Sequence, residues 1–209
     1  MNIATLTQGL SEVAWLAAGA AFFIIVAWAA RKQPVKNSGI YVVIPMVLAI
    51  LLNTTSMGLV FIQPDERGVV VSAVAPQGYR DEALTPGLRF VIPFAENVVR
   101  YSISKQSYTM SIASSEGQIQ GDDSITARTA DGQEIYVDAS VIFALDPNEI
   151  VKVHIAWQGR YASDLVRPLT RGVIRDVVSQ YGVQQVVSSK RLEMVSQITD
   201  ILSTKMEDN

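Results

Sequence analysis

Apolar and polar positions alternate with a different rhythm in each part of this chain, and the first part has almost no rhythm at all. Residues 13–30, VAWLAAGAAFFIIVAWAA, form an apolar run without a charge. As a helix at 1.5 Å per residue this is about the length that crosses a hydrocarbon core of roughly 30 Å. Trp15 and Trp28 stand toward its two ends, where indole rings favour the headgroup zone. A second run, IYVVIPMVLAILLNTTSMGLVFI at 40–62, is broken by Pro45 and a polar cluster at 53–56. It predicts a second transmembrane helix over 40–56, with Pro45 near its start where an N–H can be spared. MGLVFIQ then leaves as a strand.

Beyond residue 57 the pattern turns to strands. LVFIQPDERGVVVSAV reads as strand, turn and strand around a Pro-Asp-Glu-Arg-Gly cluster. The stretch LTPGLRFVIPF, 84–94, alternates like a half-buried strand but is apolar on both faces. In a free soluble domain Leu88, Phe90 and Ile92 would pack inward, and Val91 and Phe94 would be left to water. Beside a membrane the ends around Leu88 and Phe94 dip into the interface, and Phe90 and Ile92 are expected in the core. Further strands are predicted in NVVRYSIS and QSYTMSI. The strongest β signal flanks Asp131-Gly132: SITARTA enters a hairpin turn and QEIYVDASVIFAL leaves it, with Ile135, Val137, Ala139, Val141, Phe143 and Leu145 on one face. After Asp146-Pro147 the period lengthens to that of helices. Leu165, Leu169, Val173, Val177 and Tyr181 recur every four residues, widened by Ile174 and Val178. Gly182 closes that helix. A last helix groups Leu192, Val195, Ile198, Ile201 and Leu202.

Charge sets a topology. Arg31, Lys32 and Lys36 lie between the two apolar runs, whereas the residues before them carry only Glu12. The positive-inside bias puts this 31–39 loop in the cytoplasm and the 1–12 tail outside. Two crossings then place everything after about residue 57 on the extracytoplasmic side; a re-entrant second segment would leave it in the cytoplasm instead. No basic residue precedes Arg31, which disfavours a cleaved signal peptide.

Composition narrows the chemistry. A net charge of −3 offers no basic field for nucleic acid. With no cysteine and a single histidine, His154, the chain lacks thiol nucleophiles, zinc-thiolate sites and the parts of a serine triad. Asp122, Asp123 and Asp131 lack the ligand spacing of a calcium loop and read as turn residues. No catalytic residue, cofactor or metal is predicted. Arg167, Arg171 and Arg175 stand at i, i+4 and i+8 and so line one helix face. They are a candidate protomer interface, competing with a solvated face paired to Asp164 or Asp176. Leu88, Pro93 and Phe94, at the proline-marked ends of the 84–94 strand, are candidate membrane contacts.

Three blocks carry a resemblance, in order: ERGVVVSAVAPQGYRDEALTPGLRFVIPFAENVVRYSISKQSYTM, RTADGQEIYVDASVIFALDP and YASDLVRPLTRGVIRDVVSQYGVQQVVSSKR. Together they resemble a prohibitin-type SPFH (band 7) domain of the stomatin–prohibitin–flotillin superfamily. The resemblance implies an α+β fold with a mixed antiparallel sheet over 57–189, with 190–209 starting a C-terminal helix that leads, in the family, into a coiled coil missing here. It also implies a non-enzymatic, oligomer-forming scaffold of the membrane, organising a microdomain and enclosing or regulating a membrane AAA protease. The partners so implied are the bilayer, other SPFH chains as homo- or hetero-oligomer, and that protease, with the bacterial inner membrane as location. The alternative is a regulatory subunit of a membrane protease or channel that forms no closed ring.

Overall fold

The computed structural model describes residues 3–30, 38–113 and 115–208. The chain divides into an N-terminal unit, Met1–Tyr101, and a C-terminal unit, Ser102–Asn209.

In the N-terminal unit both apolar runs are helices, α1 at Ile3–Ala30 and α2 at Ser38–Gly58, the latter with Pro45 inside it. The chain passes straight from α2 into β1 (Leu59–Ile62), then β2 (Glu66–Ser72), β3 (Gly87–Phe90) and β4 (Glu96–Ser102). β1 pairs antiparallel with β3 and β2 lies beside β4. Ile62, Val69, Val70, Val91 and Tyr101 are buried among these strands.

The C-terminal unit holds β5 (Gln106–Met110), β6 (Ile125–Arg128), β7 (Glu134–Val137) and β8 (Ala139–Phe143). The helices are α3 (Ile150–Ala156), α4 (Arg167–Val178) and α5 (Arg191–Glu207). β6 and β7 pair antiparallel from Ile125↔Val137 to Arg128↔Glu134, and β5 and β8 from Gln106↔Phe143 to Met110↔Ala139. The architecture is α+β, as expected. The single mixed sheet is not what forms: the described strands make two-stranded ribbons.

The reason is visible at Asp138. Alternation runs unbroken across 134–143, and Ile135, Val137, Ala139, Val141 and Phe143 all pack on one core. At Asp138, however, the strand changes partner from β6 to β5. The Asp138 carboxylate accepts the Ile112 N–H at 3.0 Å and the Ser111 hydroxyl at 3.4 Å. A side chain thus occupies the point where the ladder is interrupted. The Asp131-Gly132 turn is where the pattern put it, with Gly132 at φ 82° and donating to the Thr129 carbonyl at 2.9 Å.

The same core takes Val166, Val173, Ile174, Val177, Val178 and Tyr181 from the α4 region, following the four-residue period. α5 departs from its predicted stripe. Met194 and Leu202 are buried while Leu192 and Val195 face outward, because Met194, Ile198, Ile201 and Leu202 form the strip that meets the core. The stripe keeps Ile198, Ile201 and Leu202 and differs only at its N-terminal end, where Met194 replaces Leu192 and Val195.

Candidate membrane-facing surface

α1 and α2 pack on each other with small residues inside. Ala14, Ala18 and Ala49 are buried, whereas Leu16, Phe22, Phe23 and Ile24 of α1 and Val43, Ile44 and Leu51 of α2 are exposed. A helix pair folded by water would place its bulky side chains between the helices. Alanines at i and i+4 let two backbones approach closely, the usual arrangement where the surroundings are as apolar as the side chains. Among the described residues no helix is long and apolar enough to cross a membrane. The side chains described without a break run over 12–28 and 43–58, about 25 and 24 Å of helix against a core of roughly 30 Å. Arg31, Lys32 and Lys36, on which the topology rests, lie outside the described residues.

The second part of the surface follows directly from α2. In the β1–β3 ribbon Phe61 stands opposite Leu88 and Leu59 opposite Phe90. Residues directly opposite in an antiparallel pair share a face, so Leu59, Phe61, Leu88 and Phe90 form one apolar face. Phe61, Leu88 and Phe90 are exposed on it, while Ile62 on the other face is fully buried. The predicted polarity of 84–94 is therefore corrected: Phe90 and Ile92 are outside, and Val91 is inside at 3% exposure. The cause lies at the end of α2. The Val91 N–H donates to the Gly58 carbonyl at 2.8 Å, which pins Val91 beside the helix terminus. The two-residue period of the strand then turns its neighbours outward.

Gly58 is a glycine for a steric reason. A Cβ there would stand 2.6 Å from both the Phe90 ring and the Val91 carbonyl oxygen. The ring can swing away, but the carbonyl cannot. Gly58→Ala should lower stability by about 1–3 kcal/mol, seen as a lower thermal unfolding midpoint.

Past β3 the chain turns at residues 91–96 and presents Phe94 at 84% exposure with φ 67°. This left-handed conformation is costly for a side chain with a Cβ. Three hydrogen bonds to one carboxylate hold the turn. Glu96, whose side chain is 2% exposed, accepts the Ile92 N–H at 2.7 Å and the Arg80 guanidinium at 2.9 Å (Nε) and 2.5 Å (Nη2). Burial works against the Glu96 charge, but the Ile92 N–H, Arg80 and Ser72 outweigh it and hold the carboxyl below its ordinary range. Of the residues predicted to touch lipid, Leu88 and Phe94 are exposed and Pro93 is half-buried. Sequence reasoning missed Phe61, Phe90 and Ile92 as part of the same surface. The alternation of LVFI in β1 was the signal, once its partner strand was known.

The arginine row lies elsewhere, in the C-terminal unit, and it turns inward on its own chain. Arg167 binds the Asp123 carboxylate through Nε at 3.3 Å and more closely through Nη2. Arg171 Nη1 donates to Asp123 Oδ1 at 2.8 Å and to its carbonyl at 3.0 Å, and Nη2 donates to the Ser124 carbonyl at 2.9 Å. Arg175 Nε reaches the Thr126 carbonyl at 3.0 Å. The pairing with Asp164 or Asp176 is not made; Asp164 lies instead 3.5 Å from Arg160. Asp123, read as a turn residue, is a buried anion at 3% side-chain exposure. Its hydrogen bond from Arg167 outweighs burial, and with the further pull of both arginines holds its carboxyl below the ordinary range. Asp122 and Asp131 do serve turns, accepting from Ser124 and from Thr129 and Val183. Among the described residues no cluster of histidine and carboxylates is placed to hold a metal ion.

The family model of the SPFH domain / Band 7 family matches residues 60–208. That is most of the chain, and the chain belongs to this family. Its members are often membrane scaffolds, are generally non-enzymatic and commonly form oligomers with SPFH partners. No curated protein matches the chain.

Proposed function

We propose that this chain is a non-enzymatic membrane scaffold whose N-terminal unit is seated in and on the bilayer, and whose copies assemble to organise a membrane patch. The observation that carries the reading is the inverted helix pair, with alanines inside and Leu16, Phe23, Ile44 and Leu51 outside. Exposed to water, such a surface would be a large aggregation liability; against acyl chains it is an ordinary one. With residues 29–30 and 40–42 included, both apolar runs reach spanning length. The basic loop between them favours a cytoplasmic hairpin turn and an extracytoplasmic SPFH domain. The Leu59, Phe61, Leu88, Phe90 face and Phe94 would then rest in the interface, where aromatic and aliphatic side chains are tolerated at little cost. A membrane AAA protease is the partner that this enclosure would serve.

The absence of cysteine makes a direct test clean. An environment-sensitive fluorophore attached at Phe94→Cys in the full chain, reconstituted in vesicles, should emit to the blue. Lipids bearing a quencher on the acyl chain should quench it. The same label at exposed Gln118→Cys should stay water-like, and should react with an impermeant thiol reagent only from the extracytoplasmic side. Equal aqueous emission at 94 and 118 would overturn the seating of the edge.

A further inference from the structure

We infer that an exposed loop and the arginines of α4 guard the outer edge of β5 and β6, holding it shut against the addition of a further strand. β5 and β6 pair with β8 and β7, which follow one another along 134–143. The Thr129 N–H donates to the Gln133 carbonyl at 2.9 Å, so alternation turns the backbone groups of residues 135 and 137 toward β6. The Thr109 carbonyl faces away from β8 and accepts the Gln118 N–H at 3.2 Å, so residues 139 and 141 turn toward β5. With the same parity in both halves, β5 and β6 lie end to end on one side of 134–143, and their far side is an edge. This edge lies wholly in the C-terminal unit, and guarding it depends neither on the bilayer nor on self-assembly.

The two strands have no protection of their own. QSYTMSI at 106–112 carries no charge, proline or glycine, and neither does SITA at 124–127. Free N–H and C=O groups along such an edge accept another strand unless lysine, proline, a bulge or a covering loop or helix blunts it. Here the cover comes from elsewhere in the chain. Gln118 donates through Nε2 to the Ser107 carbonyl at 3.2 Å and through its N–H to that of Thr109. The Asp123 N–H reaches the Ser111 carbonyl at 3.0 Å. Arg171 Nη2 reaches the Ser124 carbonyl at 2.9 Å, and Arg175 Nε that of Thr126 at 3.0 Å. The outward carbonyls of 107, 109, 111, 124 and 126 thus all accept from groups that belong to no strand.

These donors stand inside the roughly 4.8 Å at which an added strand would run, so an incoming segment finds its acceptors taken and its path occupied. Asp123 joins the two guards, since its N–H caps Ser111 while its carbonyl and carboxylate hold Arg171. Arg175 shows that the row does more than pair charge: its Nε goes to a strand carbonyl and not to a carboxylate. Gln118 and Arg175 are exposed, so both can be replaced without entering the core.

A fluorescein-labelled peptide copying residues 106–112, titrated by anisotropy against the full chain in detergent, tests this. Gln118→Pro removes both donors of the loop residue, and Arg175→Ala removes the guanidinium cap. The double variant should bind the peptide about tenfold tighter than the unsubstituted chain, the gain of two or three hydrogen bonds. The same peptide N-methylated at alternate residues should show no such gain, because it cannot donate to the freed carbonyls. Thr109→Lys and Thr126→Lys, added to the double variant, put a charge on each opened stretch and should return binding to the starting level. General loosening of the fold would not be reversed in this way. Where circular dichroism shows that Gln118→Pro disturbs the domain, Arg175→Ala alone should still tighten binding about threefold. Equal binding by the unsubstituted and opened chains, an equal gain for the methylated peptide, or no reversal by the lysines would overturn the guarded edge.

Discussion

Asp123→Ala should destabilise the C-terminal unit by about 3 kcal/mol, the low end of what breaking a buried ion pair costs. The low end applies because Arg167 and Arg171 keep 32% and 20% of their side-chain exposure and can still meet water. Asp123 is the anion on which the first two arginines of α4 converge, and the third arginine, Arg175, is bonded to the strand just beyond it. The spacing explains the design. Arg167 to Arg175 spans about 12 Å of helix, and Asp123 to Thr126 about 10 Å of strand, so one arginine per helical turn finds successive groups along the strand. Without the carboxylate, two guanidinium groups lie together and lose the anion that both contact, leaving only the charge of Asp122 to act on Arg171. Urea unfolding followed by circular dichroism should show the loss as a lower midpoint with an unchanged slope.

The same residue sets an acid limb. Its folded-state pKa lies below the ordinary carboxylate value of about 3.9. Its stabilising contribution is therefore complete above that value and disappears as pH falls through the folded pKa. Asp123→Asn has no such proton to take up, so its stability should fall less steeply below about pH 4 than that of the unsubstituted chain.

What could be read in advance depended on whether a residue's role is local. The alternation around Asp131-Gly132 and the four-residue period of 165–181 are local patterns, and the ribbons and α4 formed accordingly. The identity of the family was legible for the same reason, since ordered local blocks carry it. Roles set by a distant partner were not legible. Nothing near Asp123 in sequence says that arginines more than forty positions later will meet it. Nothing within 84–94 decides which parity faces out, because both are apolar; the Val91 hydrogen bond to Gly58 decides it. α5 shows the third kind of failure. Leu192, Val195 and Met194 are all apolar, so the sequence allowed two stripes, and tertiary packing chose the one beginning at Met194.

Glu96→Ala should release the turn that carries Phe94, with a cost of about 3 kcal/mol for the unpaired Arg80 and the lost Ile92 hydrogen bond. The consequence differs from that of Asp123 because the turn stores strain. Phe94 sits at φ 67°, a conformation that costs a residue with a Cβ about 1–2 kcal/mol, and Glu96 is what holds it there. Freed from the carboxylate, the backbone should relax to negative φ and the ring should leave its present exposed position. A fluorophore at position 94 should then shift toward water-like emission in vesicles even where the rest of the domain stays folded. Phe94→Gly separates strain from function. Glycine adopts positive φ without penalty, so this variant should be more stable by about 1 kcal/mol. It should also lose contact with lipid, read as weaker quenching by acyl-chain quenchers of a label at neighbouring Ile92→Cys. Stability and membrane contact should thus move in opposite directions. If Phe94→Gly keeps full quenching at 92, the aromatic ring is not what seats the edge, and the exposed Phe61, Leu88 and Phe90 face would have to do so alone.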